Sequence, residues 1–472
     1  MSTSKQLSKF DSHTLQPLVY LGFGLLFVLA IALRIALYPI ITADYTGFIS
    51  PWYDFIKAHG GFAAFKYSFA NYNPPYLYLI ALSTYLPVPK LDAIKSISVI
   101  FDIVLGTFTY LIIRLKYRRT YAAIIAALVV LFAPTIFINS AAWGQCDAIY
   151  TAFCLGSLYF LLTDRPAWAC IFFGIAISFK LQAIFFAPVL FVLLLKRKLS
   201  LIHLALIPLV FALLLVPTIL AGRSIPSVLS IYPEQIATDG VVQASATGAG
   251  RFNGGGFPGG GSRPFNGGFG GVGTFNGNGP RTGGFTGSRP GHFNGRGFGG
   301  GFTTSSLTLN APSFYQWLPA NAAGYWKWIG ILLAGLFVLF IGGLALASKQ
   351  PLTGGIILKI TLVFALWIPF LLPEMHERYF YLADVISIIY AFYFPRYFFI
   401  PIIEQISSLL SYAPFLLHTQ IVNLAYVAAL VLIISLITLA DLVLTLYPQI
   451  GGKVKYLIAE RAHLPQPGAN QP

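Results

Sequence analysis

Apolar stretches of membrane-spanning length recur along this chain from Leu18 to Leu446, and they constrain its fold more than any other feature. Hydrophobic residues make up 57% of the 472 residues, and the mean hydropathy is +0.74. A helix needs about 20 apolar residues to cross the hydrocarbon core of a bilayer. A water-soluble globule with one buried core does not have this composition. The sequence therefore predicts an all-α polytopic membrane protein.

The pattern predicts about twelve transmembrane helices, within a range of about 11 to 13. Some of the apolar runs are short for a membrane span, and helix boundaries inferred from sequence shift by a few residues. No small-residue cleavage site follows the first run, which indicates a retained helix rather than a signal peptide. The predicted helices cover residues 17–39, 94–113, 121–140, 147–163, 167–180, 182–195, 200–221, 328–347, 355–373, 379–395, 397–411 and 417–447.

The net charge of +15 has two explanations, binding to nucleic acid or positively charged loops on the cytoplasmic side of a membrane. The second is favoured because the basic residues concentrate in short loops between apolar runs, where they set the orientation of membrane proteins. Alternating the helices from a cytoplasmic N-terminus puts all of these loops on the cytoplasmic side. We therefore predict a multi-pass protein of the cell membrane (plasma or inner membrane) with no nucleic-acid partner. The basic residues are Arg114, Lys116, Arg118, Arg119, Lys196, Arg197, Lys198, Lys349, Arg396, Lys453, Lys455 and Arg461.

The same alternation divides the chain into five parts. A cytoplasmic N-terminus, 1–16, precedes an N-terminal transmembrane module, 17–221, which is predicted to be catalytic. An exoplasmic loop, 222–327, leads to a C-terminal transmembrane module, 328–447, and the chain ends in a cytoplasmic tail, 448–472.

Two exoplasmic segments have unusual compositions. The first exoplasmic loop, 40–93, is interrupted by prolines and rich in aromatic residues, which predicts short interfacial helices lying on or in the outer leaflet. The tract at about 240–302 consists mainly of Gly, Phe, Asn, Arg and Thr and lacks apolar periodicity, so it is predicted to be disordered. It is either a flexible insert or a segment that adheres to anionic envelope polymers or lipid headgroups. The aromatic residues of the first loop include Trp52, Tyr53, Phe55, Phe62, Phe65, Tyr67 and Phe69.

Polar residues gather at four places that the topology puts on the exoplasmic side. The first place holds two carboxylates of the first loop, Asp44 and Asp54. A carboxylate at the mouth of a membrane cavity is suited to act as general base on a sugar hydroxyl. A solvated loop residue or a helix cap is the commoner role for such a side chain. The other three places are Trp143-Gly144-Gln145-Cys146-Asp147, Lys180 with Gln182, and the cluster of Glu374, His376, Glu377, Arg378 and Tyr379.

Each of these three places has a structural and a functional interpretation. Asp147 either caps the helix that follows it or reaches into the same cavity as Asp44. Lys180 either extends to the lipid headgroups or pairs with an anion. The cluster around His376 is either a self-neutralising network or a site for a lipid-linked phosphate, because Arg378 can bind phosphate through two hydrogen bonds.

The order of these motifs resembles the GT-C glycosyltransferase superfamily and, within it, the bacterial branch related to the GPI-anchor mannosyltransferases. The resemblance runs from about residue 15 to about residue 445, apart from the Gly-rich tract. This chain has no adjacent pair of acidic residues in its first loop, and the surroundings of the first-loop carboxylate differ from those in the GPI members. Both departures leave the choice between Asp44 and Asp54 open. The motifs are the first-loop aspartate, Trp-Gly-Gln-x-Asp at 143–147, Phe-Lys-x-Gln at 179–182, Asn-Ala-Pro at 310–312 and Met-His-Glu-Arg-Tyr-Phe at 375–380.

The resemblance implies that one sugar, mannose or another hexose, moves from a polyprenyl-phosphate donor to an exoplasmic glycan, glycolipid or protein acceptor, with inversion. A polyprenyl phosphate leaves as a weakly basic anion, so one carboxylate base suffices, whereas glycoside hydrolysis requires two carboxylates. The predicted base is Asp44 or Asp54. The residues predicted to bind the donor phosphate and lipid are Lys180, Gln182, His376 and Arg378. The residues predicted to support these are Trp143, Gln145, Asp147, Glu374, Glu377 and Tyr379.

Neither the sequence nor the resemblance requires a cofactor besides the donor. Four carboxylates can converge on a divalent metal ion, but their spacing does not demand one. The three cysteines have no metal-ligand spacing, and they predict no disulfide framework. The carboxylates are Asp44, Asp54, Asp147 and Glu377, and the cysteines are Cys146, Cys154 and Cys170.

Two other classes of function stay open. A transporter or lipid flippase is expected to show inverted repeats and discontinuous helices near the bilayer midplane, whereas the polar residues here gather at one face. A non-catalytic scaffold protein is the third class, and in it the aspartates are dispensable.

Overall fold

The structure is a computed structural model that describes residues 12–238, 307–319 and 323–450, and these residues are almost entirely helical, as predicted. The Gly-rich tract at 240–302 and most of the predicted cytoplasmic ends, 1–16 and 448–472, lie outside the described residues. The α-helices are α1 (Ser12–Leu37), α2 (Ser50–Ala58), α3 (Pro74–Ser83), α4 (Lys90–Lys116), α5 (Thr120–Phe132), α6 (Pro134–Phe137), α7 (Asp147–Leu162), α8 (Pro166–Phe179), α9 (Ala187–Leu195), α10 (Leu201–Leu220), α11 (Ile225–Leu229), α12 (Ile231–Thr238), α13 (Ala323–Ala347), α14 (Gly354–Leu371), α15 (Tyr381–Tyr393), α16 (Phe399–Leu416) and α17 (Leu424–Leu446).

Short irregular elements lie beside the polar motifs of the sequence. A π-helix, Tyr45–Ile49, follows Asp44, and a second one, Ile138–Trp143, precedes Gly144. Such wide helical turns are rare and are frequent at functional sites. Two two-residue strands form a parallel pair, β1 (Thr308–Leu309) with β2 (Met375–His376), in which Leu309 is opposite His376. The 3₁₀-helices are Gly61–Lys66, Leu181–Phe186, Phe314–Trp317 and Pro395–Tyr397.

Seven helices among the described residues are long and apolar enough to cross a membrane, and a bent pair of helices brings the number to eight. Four apolar helices of 10–17 residues accompany them. The polytopic all-α membrane fold is confirmed, while the number of about twelve spans stays a prediction. The seven are Gln16–Leu37, Lys90–Lys116, Leu201–Leu220, Tyr325–Ala347, Gly354–Leu371, Pro395–Leu416 and Leu424–Leu446; the bent pair is Thr120–Phe132 with Pro134–Trp143; the shorter ones are Asp147–Leu162, Pro166–Phe179, Leu181–Leu195 and Tyr381–Tyr393.

The prediction of one continuous helix over 121–140 was wrong, because the chain bends by 50° between Phe132 and Pro134. Pro134 cannot donate a backbone hydrogen bond, and it disfavours helical geometry at the residue before it, so α5 ends at Phe132. The chain then passes through α6 and the second π-helix to Gly144, whose φ of +78° reverses its direction. The bend and the reversal bring the Trp-Gly-Gln motif into the protein interior.

Another predicted boundary is corrected at the last helix. α17 starts at Leu424 rather than at 417, because Asn423 caps it: the Ala425 N–H donates to the Asn423 side chain over 2.9 Å. An asparagine at this position satisfies a backbone donor that the first turn leaves unpaired.

The loop 40–93 forms short helices, as predicted, but several of its aromatic residues face protein rather than lipid. Trp52, Tyr53 and Phe65 are 8%, 3% and 1% exposed, and they belong to the main hydrophobic core. Phe62 and Tyr67 are exposed, as the interfacial interpretation expects. The loop therefore covers one end of the helix bundle instead of only lying on the membrane.

The basic loops gather at the opposite end of the bundle. Lys116, at the end of α4, contacts the carbonyl of Tyr393 at the end of α15. The Lys196 ammonium donates to the carbonyl of Ser348 over 2.9 Å, which joins the ends of α9 and α13. Arg396 pairs with Asp441 near the end of α17 at 2.6 Å. These contacts place the basic residues together at one end of the bundle, and which side of the membrane this end faces stays a prediction.

Candidate active site

A cavity lies at the end of the bundle opposite the basic loops, and four separate chain segments line it. Its volume is about 780 Å³, part of which is open to solvent. Both transmembrane modules contribute, since residues 44–76, 145–182 and 235 meet residues 376–379 there. The predicted site residues among its lining are Asp44, Gln145, Lys180, Gln182, His376, Arg378 and Tyr379.

The Asp44 carboxylate is held on one side by two hydrogen-bond donors. The indole Nε1 of Trp143 donates to Oδ2 of Asp44 over 2.8 Å, and the amide Nε2 of Gln145 donates to the same oxygen over 2.5 Å. The left-handed turn at Gly144 places the two donors on either side of it. The indole stacks on Phe415 with ring centroids 4.8 Å apart, which fixes its orientation. The side chain of Asp44 is thereby buried with one carboxylate oxygen engaged.

Asp147 and Lys180 form a buried ion pair beside the cavity. The ammonium of Lys180 donates to Oδ1 of Asp147 over 2.5 Å, and the amide of Asn139 donates to Oδ2 over 3.0 Å. The backbone leaves helical geometry at Lys180, so α8 ends there and the side chain turns inward. Asp147 does not cap α7; it is fully buried behind the cavity lining, where Lys180 pairs with it as an anion.

Arg378 lies at the centre of the charged groups. Its Nη1 is 3.1 Å from Oε1 of Glu377 and 3.9 Å from Oδ2 of Asp44, and its Nε is 3.7 Å from Oδ2 of Asp147. Burial acts against its charge, but the neighbouring carboxylates raise the pKa of Arg378 well above its usual value. Nε is buried and faces Asp147, while the Arg378 side chain as a whole lines the cavity. A permanently charged guanidinium at a cavity is suited to bind a phosphate.

The residues beside Arg378 titrate unusually. Burial raises the pKa of Glu377 to about 7, although Arg378 opposes the rise. Burial, with Arg378 and Lys180, lowers the pKa of His376 well below its usual value, so the imidazole is neutral at pH 7. The cluster therefore has two cations, Lys180 and Arg378. It carries less negative charge at neutral pH than its sequence suggests, because part of Glu377 is protonated.

The β1–β2 pair holds His376 in place. The backbone N–H of Glu377 donates to the carbonyl of Leu309 over 3.0 Å, and Asn310 bridges to His376. Asn310 and Glu374 have φ values of 62° and 60°, a region in which asparagine is tolerated better than most residues. The Asn-Ala-Pro motif thus supports the His376 segment from a distant part of the chain.

Five predicted site residues are not part of the cavity lining. Trp143, Asp147 and Glu377 lie directly behind it, in contact with Asp44, Lys180 and Arg378 respectively. The other two, Asp54 and Glu374, have partners outside the cavity. Asp54 is on α2 with 62% of its side chain exposed, where it pairs with Lys90 at 2.8 Å. Glu374, expected to orient the cations of the cluster, instead pairs with Lys327 at 2.8 Å. Among the described residues, no three His, Cys, Asp or Glu side chains are grouped so that they could hold a metal ion.

Sequence reasoning missed several residues of the site. Asn139 and Lys95 are buried polar residues inside apolar runs. A polar residue within an apolar run is rare, and this feature of the sequence could have identified both. An aromatic wall also lines the cavity, with ring centroids of neighbouring members 5.3–6.1 Å apart. Its members are Phe48, Trp52, Tyr72 and Tyr76.

Part of the amino-acid sequence matches a known protein family, and the match includes segments of this site. The model of glycosyltransferase family 87 matches residues 69–244. The match covers less than half of the chain, and it includes the segments that contribute Gln145, Asp147 and Lys180 to the site. It indicates a membrane glycosyltransferase of the GT-C type, and it does not favour the transporter alternative. No curated protein sequence matches the chain.

Proposed function

We propose that this protein moves one hexose, such as mannose, from a polyprenyl-phosphate donor to an acceptor on the exoplasmic face of the cell membrane. The observation that carries the proposal is that the Asp44 carboxylate and the cations Lys180 and Arg378 face one cavity. The reaction needs this pair of features: a base for the acceptor hydroxyl and positive charge for the departing phosphate.

The chemistry follows from these positions. The acceptor oxygen attacks the anomeric carbon as the bond from that carbon to the phosphate oxygen breaks, and the configuration inverts. Asp44 accepts the hydroxyl proton. The phosphate leaves as an anion next to Lys180 and Arg378, so no acid has to protonate it. His376, which is neutral, can donate a hydrogen bond to a phosphate oxygen without adding charge.

We assign the base to Asp44 rather than to Asp54. Asp44 lines the cavity and has its carboxylate oriented by Trp143 and Gln145, whereas Asp54 is exposed and paired with Lys90. A base must lie within hydrogen-bond reach of the proton that it accepts, and the cavity provides space for an acceptor at Asp44.

A transfer assay with purified protein tests the proposal. The donors are polyprenyl-phosphate mannose, polyprenyl-phosphate glucose and a nucleotide sugar, and the acceptors are a glycan, a glycolipid and a hydroxyl-bearing peptide. We expect transfer from a polyprenyl-phosphate sugar, a loss of about a hundredfold to ten-thousandfold in Asp44→Asn, and near-normal rates in the matched control Asp54→Asn. Repeating the assay with a chelator measures any dependence on a divalent metal.

Three results would contradict parts of this proposal. Transfer from the nucleotide sugar alone overturns the donor class. Loss of activity in Asp54→Asn but not in Asp44→Asn moves the base to the exposed residue. Full activity in both variants excludes Asp44 and Asp54 as the base.

A further inference from the structure

Lys95 is a buried lysine on α4 whose partners are all backbone carbonyls. Its side chain is 0% exposed. The ammonium donates to the carbonyls of Tyr38 at 2.9 Å, Ile40 at 2.6 Å and Ala142 at 3.0 Å, and the carbonyl of Leu37 lies at 3.5 Å. A buried ammonium is costly, so one that survives at this depth is satisfied by a specific set of acceptors.

The four carbonyls come from two segments that meet at the candidate active site. Three belong to the end of α1 and the residues after it, which lead directly to Asp44. The fourth belongs to Ala142, directly before Trp143. The C-terminal ends of two helices carry partial negative charge, and Lys95 neutralises both at one point. Without the ammonium, these buried carbonyl oxygens would face one another with no donor between them.

Two more contacts hold together the segment after α1 and the segment around Trp143. The hydroxyl of Thr42 donates to the carbonyl of Trp143 over 3.0 Å, parallel to the link through Lys95. A Cβ added at Gly144 would lie 3.7 Å from Cγ of Lys95, so the lysine stem packs directly under the turn between Trp143 and Gln145.

We propose that Lys95 is a positioning residue for the reaction: its ammonium sets Asp44 against the two side chains that hold it, Trp143 and Gln145. This inference rests on the proposed function, in which Asp44 is the base. Lys95 is not part of the cavity lining, so it acts through Asp44 and leaves the donor-binding cations in place.

The test measures kcat and the donor KM separately in Lys95→Met, which keeps the length of the side chain and removes its charge. We expect kcat to fall at least about tenfold while the donor KM changes less than about threefold, because Lys180 and Arg378 are retained. In an Asp44→Asn background, Lys95→Met should cause no further loss, since the group that it positions is already absent.

Lys359→Met is the matched control. Lys359 is also buried on a membrane-spanning helix, but it pairs with Asp441 at 2.7 Å, far along α14 from the cavity. This variant should lose thermal stability and keep the kcat of the remaining folded protein. If Lys95→Met does not fold, Thr42→Val removes the parallel link with a smaller disturbance and is expected to lower kcat in the same way.

The outcomes separate this inference from the proposed function. If Lys95→Met folds and has a normal kcat, the role of Lys95 is overturned, even though Asp44→Asn is inactive. If Lys95→Met does not fold, a normal kcat in Thr42→Val overturns it in the same way. An equal loss from Lys95→Met in the Asp44→Asn background shows that Lys95 acts elsewhere and also overturns the proposal. Full activity of Asp44→Asn removes the base itself, and the Lys95 proposal falls with it.

Discussion

Nη1 of Arg378 lies 3.9 Å from Oδ2 of Asp44, the same oxygen that accepts hydrogen bonds from Trp143 and Gln145. Three positive or donating groups therefore surround one oxygen of the carboxylate. The other oxygen, Oδ1, receives none of these three contacts. An aspartate held in this way presents its second oxygen, in a fixed orientation, to an incoming hydroxyl, and that orientation depends on the groups that bind Oδ2.

The first prediction concerns the indole that orients Asp44. Trp143→Phe keeps the aromatic packing against Phe415 and removes the donor Nε1, so kcat should fall about tenfold with a small change in donor KM. Trp367→Phe is the matched control, because Trp367 donates to the carbonyl of Ser435 away from the cavity. Steady-state kinetics of the two variants check this, and equal kcat values would show that the indole does not orient the base.

The second prediction separates donor binding from catalysis. Arg378→Ala should raise the donor Kd at least about tenfold, because it removes a cationic phosphate partner from the cavity lining. Asp44→Asn should leave the donor Kd nearly unchanged. Titration of a polyprenyl-phosphate sugar against each purified variant measures this. Arg396→Ala, at the opposite end of the bundle, serves as the control for losing an arginine.

The third prediction follows from the pKa of about 7 that burial gives Glu377. The folded state holds this proton more tightly than the unfolded chain, whose Glu pKa is about 4.3. Glu377 therefore contributes stability that is complete below about pH 4.3 and is lost as the pH rises through about 7. Unfolding temperatures between pH 5 and pH 8 should decline less steeply in Glu377→Gln.

The same titration should affect donor binding. Above about pH 7 the ionised Glu377 competes with the donor phosphate for Arg378, so the donor KM should rise with pH. Glu377→Gln should remove that rise. Glu374→Gln is the control, since Glu374 pairs with Lys327 outside the cavity lining. An unchanged pH profile in Glu377→Gln would exclude Glu377 as the titrating group.

Much of this arrangement was predictable from sequence because a membrane limits where polar groups can lie. Asp44, Gln145, Lys180 and Arg378 interrupt or border apolar runs, and the alternation of helices put them on one face. The structure brings these four residues to one cavity. The positions of the helices were predictable for the same reason, since long apolar runs have few alternatives to a spanning helix.

The pairings within the site were not predictable from sequence. Trp143 and Asp44 are 99 residues apart in the chain, and only the bend at Pro134 and the reversal at Gly144 make them neighbours. Sequence spacing could not choose between Asp44 and Asp54, because both lie in one aromatic loop. Glu374 pairs with Lys327 of α13, and a tertiary contact of this kind has no local sequence signal.

The fourth prediction concerns topology. A single cysteine at Arg118, in a basic loop, should not react with a membrane-impermeant maleimide added to intact cells, whereas one at Gly255 in the Gly-rich tract should react. The native Cys154 and Cys170 are buried, and Cys146, which lines the cavity, is replaced by serine to keep the background low. Labelling at Arg118 but not at Gly255 would reverse the orientation and put the cavity on the cytoplasmic face.

The last prediction concerns the Gly-rich tract, which is flanked on each side by a segment that lines the cavity or pairs with a residue of its lining. Before the tract, Gln235 lines the cavity, and its amide donates to the carbonyl of Asn71 over 3.1 Å. After it, Leu309 and Asn310 pair with His376. Deletion of residues 242–300 leaves nine residues, 239–241 and 301–306, between Thr238 and Leu307, enough to span about 30 Å. The shortened chain should therefore fold and keep most of its transfer activity, because a change in loop length has a small free-energy cost.

A second variant makes that experiment decisive. Replacing residues 242–300 by a Gly-Ser segment of equal length keeps the length and removes the arginines and phenylalanines of the tract. If the deletion is inactive but the Gly-Ser replacement is active, the tract acts only as a spacer. If both are inactive yet show normal unfolding temperatures, the composition of the tract takes part in binding at the cavity mouth, and its interpretation as a simple flexible insert is wrong.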